Sequence, residues 1–276
     1  MSDDEQERER EEETASAGSS DGEAGGGAPE DAAGVDAAGE GGGGPEGRQE
    51  EAAGGAVGED ADRDEVERLY RRARELAERG ELRKAAETYN DLLLRDPRHL
   101  KARNNLGYVY DRLGDSERAL QEYRKALELD PENVQLLSNV GALLGALGRY
   151  EEAEAELRRA LEIDPESPDA HMNLGLVFYR KGLYPRAATE LRKAIDLDPE
   201  RGSAFFYLGE AYNRLGRIDD ALEALERAVQ LQPGNARAYY TMGILFDRRQ
   251  QRDRAANMYR KARDLDSREG EGPGPL

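Results

Sequence analysis

The sequence predicts an all-α fold of stacked helical hairpins, because three residue types recur at intervals of 34 positions. Glycine follows a large apolar residue in five consecutive copies of the period: Gly107, Gly141, Gly175, Gly209 and Gly243. An alanine stands twelve residues after each of these glycines, and a proline stands twelve residues after four of the alanines. Periods of about 20 to 50 residues are typical of arrays in which each unit packs only against its neighbours. The chain is therefore predicted to form a solenoid.

Each unit of the period is predicted to contain two helices joined by a turn. Helix A carries the recurring glycine, and the chain turns at a second glycine seven residues later, as at Gly114 and Gly148. Helix B carries the recurring alanine and ends before the proline, whose fixed φ and missing N–H oppose a longer helix. A glycine within helix A costs about 1 kcal/mol relative to alanine. We expect close approach of the two helices at the glycine/alanine pair to offset this cost.

The motif resembles that of the tetratricopeptide repeat family, which places a large apolar residue, Gly, an aromatic, Ala, an aromatic or Leu, Ala and Pro in this order. The second unit provides all seven: Leu106, Gly107, Tyr110, Ala119, Tyr123, Ala126 and Pro131. The resemblance covers residues 66–269 without an insertion and weakens at the ends, where Ala73 replaces the first glycine and Ser267 the last proline. It implies a right-handed α-solenoid of six helix-turn-helix repeats with these bounds: 66–99, 100–133, 134–167, 168–201, 202–235 and 236–269.

The two ends of the array are predicted to be polar. Helix A of the first unit lacks the apolar stripe that the other units carry and has these residues instead: Arg68, Arg72, Glu75 and Arg79. Helix B of the last unit loses its stripe in the same way, at Arg252, Ala256, Tyr259 and Arg263. Terminal repeats need polar outer faces for solubility. We therefore expect a self-contained solenoid that is monomeric by itself.

The negative charge of the chain is concentrated before the first repeat. Residues 1–65 hold 22 of the 59 acidic residues and only four arginines, whereas the remaining 211 residues hold 37 acidic and 36 basic ones. Because residues 1–65 have almost no large apolar side chains, they are predicted to be a disordered acidic tail rich in Gly, Ala and Glu. This tail is either a solubility spacer or an autoinhibitory segment for arginines of its own repeats. Residues 270–276 are predicted to be a flexible end.

Several classes of function are disfavoured. The chain has no cysteine, its two histidines do not stand at metal-ligand spacing, and we find no known catalytic motif. We therefore expect no enzyme, no cofactor and no metal site. Nucleic-acid binding needs a basic face, which the near-neutral repeats do not provide. No apolar run is long enough for a signal or membrane helix, so we expect a soluble, cytoplasmic protein without membrane insertion.

The resemblance implies that helices A line a concave groove, at positions 2, 5, 6, 9, 12 and 13 of each repeat. Position 6 is asparagine in three consecutive repeats: Asn105, Asn139 and Asn173. An amide side chain both donates and accepts hydrogen bonds, so such a ladder could pair with the backbone of an extended peptide. Asparagine is also the commonest residue at this position in the family. Family consensus therefore remains an alternative explanation of the ladder.

Two further sets of residues are predicted to line the groove. The aromatic set could provide rigid contact area: Tyr70, Tyr108, Tyr179, Phe206 and Tyr240. The basic set forms a column at position 13: Arg112, Arg180, Arg214 and Arg248. Over the six groove positions we count eight basic and six acidic residues, which favours a neutral or acidic peptide over a basic one.

The predicted function is a protein–protein interaction scaffold whose groove binds an extended or helical partner segment. Two alternatives remain open at this point. The chain could be a substrate-recognition or regulatory subunit of a separate enzyme, or an assembly factor that acts through its convex face. The sequence identifies no partner.

Overall fold

The structure of the protein, a computed structural model, describes the backbone of residues 50–270 and the side chains of residues 62–267. In this part of the chain all regular structure is helical. The helices are α1 (Glu50–Glu78), α2 (Leu82–Arg95), α3 (Leu100–Arg112), α4 (Ser116–Leu129), α5 (Val134–Ala146), α6 (Tyr150–Ile163), α7 (Pro168–Arg180), α8 (Tyr184–Leu197), α9 (Gly202–Arg214), α10 (Ile218–Leu231), α11 (Ala236–Arg248) and α12 (Arg252–Gly270).

Consecutive helices pair into six antiparallel hairpins, which we number 1 to 6 from α1/α2 to α11/α12. The first helix of each hairpin, helix A, also packs against helix B of the hairpin before it, and helices A of neighbouring hairpins contact one another. The all-α solenoid predicted from the sequence is therefore confirmed.

Each hairpin turns at the same position, where the backbone is left-handed. Gly80, Gly114, Gly148, Gly182 and Gly216 have φ between 73° and 79°. In the second hairpin the amide of Asp115 donates to the carbonyl of Tyr110 at 2.9 Å, so the turn closes the end of helix A in the manner of a Schellman motif. The sixth hairpin uses Gln250 at this position, with φ 60°. A side chain is strained in this conformation, whereas glycine is not.

The glycine inside helix A lies against a large side chain of helix B. A Cβ on Gly107 would lie 2.7 Å from Cε1 of Tyr123, and one on Gly141 would lie 2.4 Å from Cγ of Leu157. The expectation that glycine meets the recurring alanine is therefore wrong in detail. Its main neighbour is the residue four positions after the alanine, because that side chain is long enough to cross the gap between the helices.

The core runs along the solenoid between helices A and B. The recurring alanines Ala119, Ala153, Ala187 and Ala221 are fully buried, together with leucines such as Leu157 and Leu191. At the outer end of hairpin 1, Arg68, Arg72, Glu75 and Arg79 are exposed. At the other end, Arg252, Ala256 and Arg263 on α12 are exposed and Tyr259 is half-buried. Both ends of the described array therefore present mainly polar side chains.

The limits of the helical array differ from those expected. Helix α1 begins at Glu50, so residues 50–65 are helical here, although the sequence assigns them to the tail. Alanine and glutamate favour helix, and extending a helix already held by packing is easier than nucleating one. Helix α12 ends at Gly270, one residue past the predicted end of the sixth repeat. The predictions for residues 1–49 and 271–276 fall outside the described residues.

Candidate peptide-binding surface

The three ladder asparagines bond to the hairpin before their own. Asn139 Nδ2 donates to Oδ1 of Asn104 at 3.0 Å, and Asn173 Nδ2 donates to the carbonyl of Ser138 at 3.3 Å. In each case the acceptor lies 35 residues earlier in the chain. Position 6 of one hairpin is thereby joined to position 5 of the preceding one.

Asn105 makes the corresponding contact at the start of the array. Its Nδ2 donates to the hydroxyl groups of Tyr70 and Tyr89, both at 3.2 Å. Its Oδ1 faces the amide of Asn104 at 3.4 Å. The donors of this asparagine are therefore already used within the protein. Among the described residues, Oδ1 of Asn139 and Asn173 receives no hydrogen bond, and each Nδ2 uses only one of its two N–H groups. The ladder can therefore offer these two oxygens and one N–H of each amide to a ligand.

The position-13 arginines are the last residues of their helices A, and two of them also bond to the hairpin before their own. Arg180 Nη1 donates to the carbonyl of Gly145 at 2.6 Å, and Arg248 Nη1 donates to Oδ1 of Asn213 at 2.9 Å. Arg214 lies beside the Tyr179 hydroxyl, which raises the pKa of the guanidinium. Arg112 differs, since its Nη1 bonds to Tyr108 in its own helix at 3.0 Å. Each of these guanidinium groups is thus held by a neutral oxygen.

None of the four column arginines forms an ion pair with a described carboxylate. Arginines near the starts of helices B behave differently: Arg149 pairs with Glu152 at 2.6 Å, and Arg217 pairs with Asp220 at 2.7 Å. A guanidinium has five N–H donors, and a single bond to a neutral oxygen leaves its charge uncompensated. The column therefore keeps both charge and donors available.

The predicted aromatic residues fall into three groups. Tyr108 and Tyr240 are 49% and 57% exposed, Tyr70 and Tyr179 are half-buried, and Phe206 is only 4% exposed. The prediction that Phe206 offers binding surface is not supported by its burial. Its ring packs on the ring of Tyr207, with centroids 5.1 Å apart, and Arg237 lies over it at 5.3 Å. At Phe206, position 5 faces the neighbouring hairpin and not the solvent. The sequence period alone did not distinguish this buried position from the exposed one at Tyr240.

A cleft of about 520 Å³ lies at the junction of hairpins 5 and 6. It brings together three predicted residues, Arg214, Tyr240 and Arg248. It also contains Arg237 and Glu210, which the sequence places among the charged groove residues but which were not named as candidate binding residues. The other predicted residues do not line this cleft. Arg237 occupies groove position 2 and Glu210 groove position 9, but position alone did not single them out from the other charged groove residues.

Glu210 lines the cleft and already has hydrogen-bond partners within the protein. Its carboxylate accepts hydrogen bonds from Thr241 Oγ1 at 2.7 Å and from the Tyr179 hydroxyl at 3.3 Å. Burial is the main cause that raises the pKa of Tyr179. The cleft therefore brings three arginines together with two acids, Asp266 and Glu210, and both oxygens of Glu210 are bound by protein hydroxyl groups.

No group of three or more His, Cys, Asp or Glu side chains in residues 62–267 is arranged to hold a metal ion. No described helix combines the length and apolar character needed to cross a membrane.

Stacked helical hairpins whose helices A share one surface define the tetratricopeptide repeat class of solenoid. The family model described as the cilia and flagella-associated protein 70 C-terminal domain matches residues 10–274, and the chain belongs to this tetratricopeptide repeat family. No curated protein is significantly similar to the chain in sequence.

Solved structures of the same class resemble the chain. MamA is 28% identical, with a TM-score of 0.53, over 60% of this chain and 97% of MamA. PilF of Pseudomonas aeruginosa is 25% identical, with a TM-score of 0.63, over 72% of this chain and 90% of PilF. A tetratricopeptide repeat protein of Parabacteroides merdae shares the fold at 22% identity, with a TM-score of 0.61, over 72% of this chain and 78% of its own. These similarities support a protein-interaction scaffold, a class that is typically non-catalytic.

Proposed function

We propose that the chain is a scaffold that binds a segment of a partner protein on the inner surface formed by helices A. The observation that carries this proposal is the cleft between hairpins 5 and 6, where exposed Tyr240 stands beside Arg214, Arg237 and Arg248. Exposed tyrosine and arginine are the residues most enriched at binding hot spots. Their convergence in a concave site supports binding there.

The hydrogen bonds between hairpins support the same proposal in a second way. Arg180 and Arg248 are each tied to the hairpin before their own, at 2.6 and 2.9 Å. A side chain that is already ordered loses less conformational entropy when a ligand binds. The inner surface is therefore preorganised for a partner, and the chain acts without turnover as a passive binding protein.

We also propose that the six hairpins act as one binding unit that is monomeric by itself. Support comes from the outer faces of the array, where Arg68, Arg72, Arg252 and Arg263 are exposed. Charged end faces oppose end-to-end stacking because burying them would remove charged groups from water.

The test compares two doubly substituted full-length chains in capture from native lysate, read by mass spectrometry. Tyr108→Ala with Tyr240→Ala removes the two exposed inner tyrosines. Leu94→Ala with Ile163→Ala is the matched control, because these helix-B side chains are 81% and 40% exposed. Both variants are first checked for wild-type helicity and thermal unfolding.

We expect the tyrosine variant to lose a partner that the wild type and the leucine/isoleucine control retain. If both variants keep every partner, binding is not on the inner surface. Loss of the partner from the control alone would place the interaction on the outer, helix-B face.

A further inference from the structure

We propose that the partner segment is acidic and extended, with a carboxylate at every third residue, and that Arg180, Arg214 and Arg248 each bind one of these carboxylates. The inference rests on the proposed function and specifies the chemistry of the ligand. It concerns hairpins 4 to 6, the only stretch of the described array in which three consecutive helices A carry the column arginine.

The charge of these three side chains supports an acidic partner. All three are exposed, and none is within ion-pair distance of a described carboxylate. Arg237, which lines the cleft with Arg214 and Arg248, also lacks a described carboxylate partner and lies over the ring of Phe206. The arginine fork matches a carboxylate with two parallel hydrogen bonds. An acidic ligand would therefore supply the counterions that the fold does not.

The anchoring of the arginines fixes where those carboxylates must be. Arg180 and Arg248 use one Nη1–H each for the preceding hairpin, and Arg214 is held beside Tyr179. The remaining donors of each guanidinium are free to face a ligand. The three charges consequently repeat with the spacing of successive helices A, which is about 8–10 Å for packed helices.

This spacing selects one backbone conformation. A polyproline II segment rises 3.1 Å per residue with three residues per turn, so every third side chain points the same way at intervals of about 9 Å. In a β-strand, side chains on the same face recur about every 7 Å, which is shorter than the spacing of the arginines. In an α-helix, which rises about 1.5 Å per residue, the same face recurs about every 5–6 Å over one turn or about every 10.5 Å over two turns, and neither interval matches the spacing of the arginines. An extended segment with a three-residue period therefore fits the spacing.

The remaining cleft residues restrict the ligand further. Tyr240 is 57% exposed and can pack against the apolar residues between two carboxylates, as aromatic grooves do with extended proline-rich segments. Asp266 and Glu210 also line the cleft. These two acids would repel a dense polyanion such as a nucleic acid. In a peptide with spaced carboxylates, the uncharged residues between the carboxylates can lie beside Asp266 and Glu210.

The experiment measures binding of two fluorescent twelve-residue peptides to the full chain by anisotropy. One is (Glu-Pro-Pro) repeated four times, and the other holds the same residues as four consecutive Glu followed by eight Pro. The test protein carries Arg180→Gln, Arg214→Gln and Arg248→Gln. Its matched control carries Arg192→Gln, Arg227→Gln and Arg260→Gln, which are exposed helix-B arginines of the same three hairpins. A third protein carries Arg180→Lys, Arg214→Lys and Arg248→Lys. It keeps the charge of the column, so a misfolded glutamine variant can be told apart from one that has lost only the binding groups.

We expect the spaced peptide to bind the wild type and the matched control within about twofold of each other, because these two proteins keep the column. The column variant should bind about tenfold more weakly, since three exposed ion pairs are lost. The lysine variant should fall between them because it lacks the bidentate fork. Affinity should decrease as salt rises, since exposed pairs are screened over about 10 Å at 0.1 M.

Three results would overturn the inference: equal weakening in both glutamine variants, equal affinity for the spaced and the blocked peptide, or displacement of the spaced peptide by a single-stranded oligonucleotide at equal charge. None of these would refute the proposed function. The proposed function is tested by whether the Tyr108→Ala, Tyr240→Ala variant loses the natural partner in the capture experiment. That experiment uses no acidic peptide.

Discussion

Thr241 in α11 donates a hydrogen bond of 2.7 Å to the carboxylate of Glu210 in α9. The other oxygen of this carboxylate accepts from the hydroxyl of Tyr179 in α7 at 3.3 Å. One half-buried acid therefore connects three consecutive hairpins. Such contacts make neighbouring repeats cooperative, because breaking one interface leaves a polar group of the next without its partner.

Replacing Glu210 should weaken the last three hairpins. Glu210→Ala removes both acceptors and is expected to lower the free energy of unfolding by about 1–3 kcal/mol, while Glu210→Gln, which keeps one acceptor oxygen, should cost less. Urea unfolding followed by circular dichroism measures both. Glu226→Ala, an exposed helix-B site, is the control. Equal losses for Glu210→Ala and the control would show that the two hydroxyl contacts contribute nothing.

The close contact of Gly141 with Leu157 should appear as coupling between the two positions. Gly141→Ala is expected to lower the free energy of unfolding by about 1–3 kcal/mol, since a Cβ would lie 2.4 Å from Cγ of Leu157. In a Leu157→Ala background the same change should be neutral or stabilising, because alanine favours helix over glycine by about 1 kcal/mol. A double-mutant cycle by urea unfolding provides the measurement. Additive effects would mean that the helices separate to admit the extra methyl group.

The left-handed turn at Gln250 should be improved by glycine. Gln250→Gly is expected to raise the free energy of unfolding by about 0.5–1 kcal/mol, because a non-glycine residue at φ 60° is strained and the five other turns use glycine. Gln251→Gly, at the next residue, lacks this benefit and should be destabilising. Thermal or urea unfolding distinguishes the pair, and a loss of stability in Gln250→Gly would contradict the strain.

His171 in α7 takes the place that Arg103 takes in α3. His171 Nδ1 lies 2.6 Å from Glu190 and Nε2 lies 2.9 Å from the carbonyl of Pro165, while Arg103 bonds to Glu122 at 2.8 Å and to Pro97 at 2.7 Å. His171→Ala leaves the half-buried Glu190 short of a donor and should cost about 1–3 kcal/mol. His171→Arg should cost much less, because arginine can make both contacts. Urea unfolding of the two variants checks this, and equal losses would mean that ring packing matters more than the hydrogen bonds.

Acid should weaken the junction of hairpins 3 and 4 through Glu154. Burial acts to raise the pKa of Glu154, but hydrogen bonds from Lys181 and Arg158, at 2.9 and 2.8 Å, outweigh it and hold this pKa below its usual value of 4.5. A carboxyl with a lowered folded pKa contributes stability above its unfolded pKa, and this contribution is lost as the pH falls through the folded pKa.

Glu154→Gln is therefore expected to cost about 1–2 kcal/mol at pH 7, and the difference from the wild type should shrink below pH 4.5. Urea titrations at pH 7 and at successively lower pH provide the comparison. Glu162→Gln, at an exposed site of the same helix, serves as the control. A difference that stays constant down to acid pH would exclude the ion pairs as its cause.

Periodicity predicted the hairpins well because it reflects backbone constraints that every unit repeats. The turn glycines such as Gly114 need a positive φ, and helix A of hairpins 2 to 6 begins at residues 34 positions apart: Leu100, Val134, Pro168, Gly202 and Ala236. The extension of α1 to Glu50 was not predicted, because residues 50–65 fall outside the period. A helix that continues past its packed segment leaves no periodic signal.

Side-chain contacts of the inner surface were harder to predict from the sequence. Asn105 was identified as a groove residue, but its two bonds to Tyr70 and Tyr89 depend on how adjacent hairpins are offset. Phe206 and Tyr240 both occupy position 5, yet one is 4% and the other 57% exposed. The difference arises because Arg237 and α11 cover Phe206, while Tyr240 belongs to the last described hairpin, and within residues 50–270 no further helix A covers it.

The 35-residue hydrogen bonds run in one direction, from a donor in one hairpin to an acceptor in the hairpin before it. A duplicated 34-residue segment would bring its own donors for the preceding unit and its own acceptors for the following one. The array could therefore gain or lose an internal unit by recombination without new contacts having to evolve. Terminal units lack this freedom, since each has an outer face with no partner on one side.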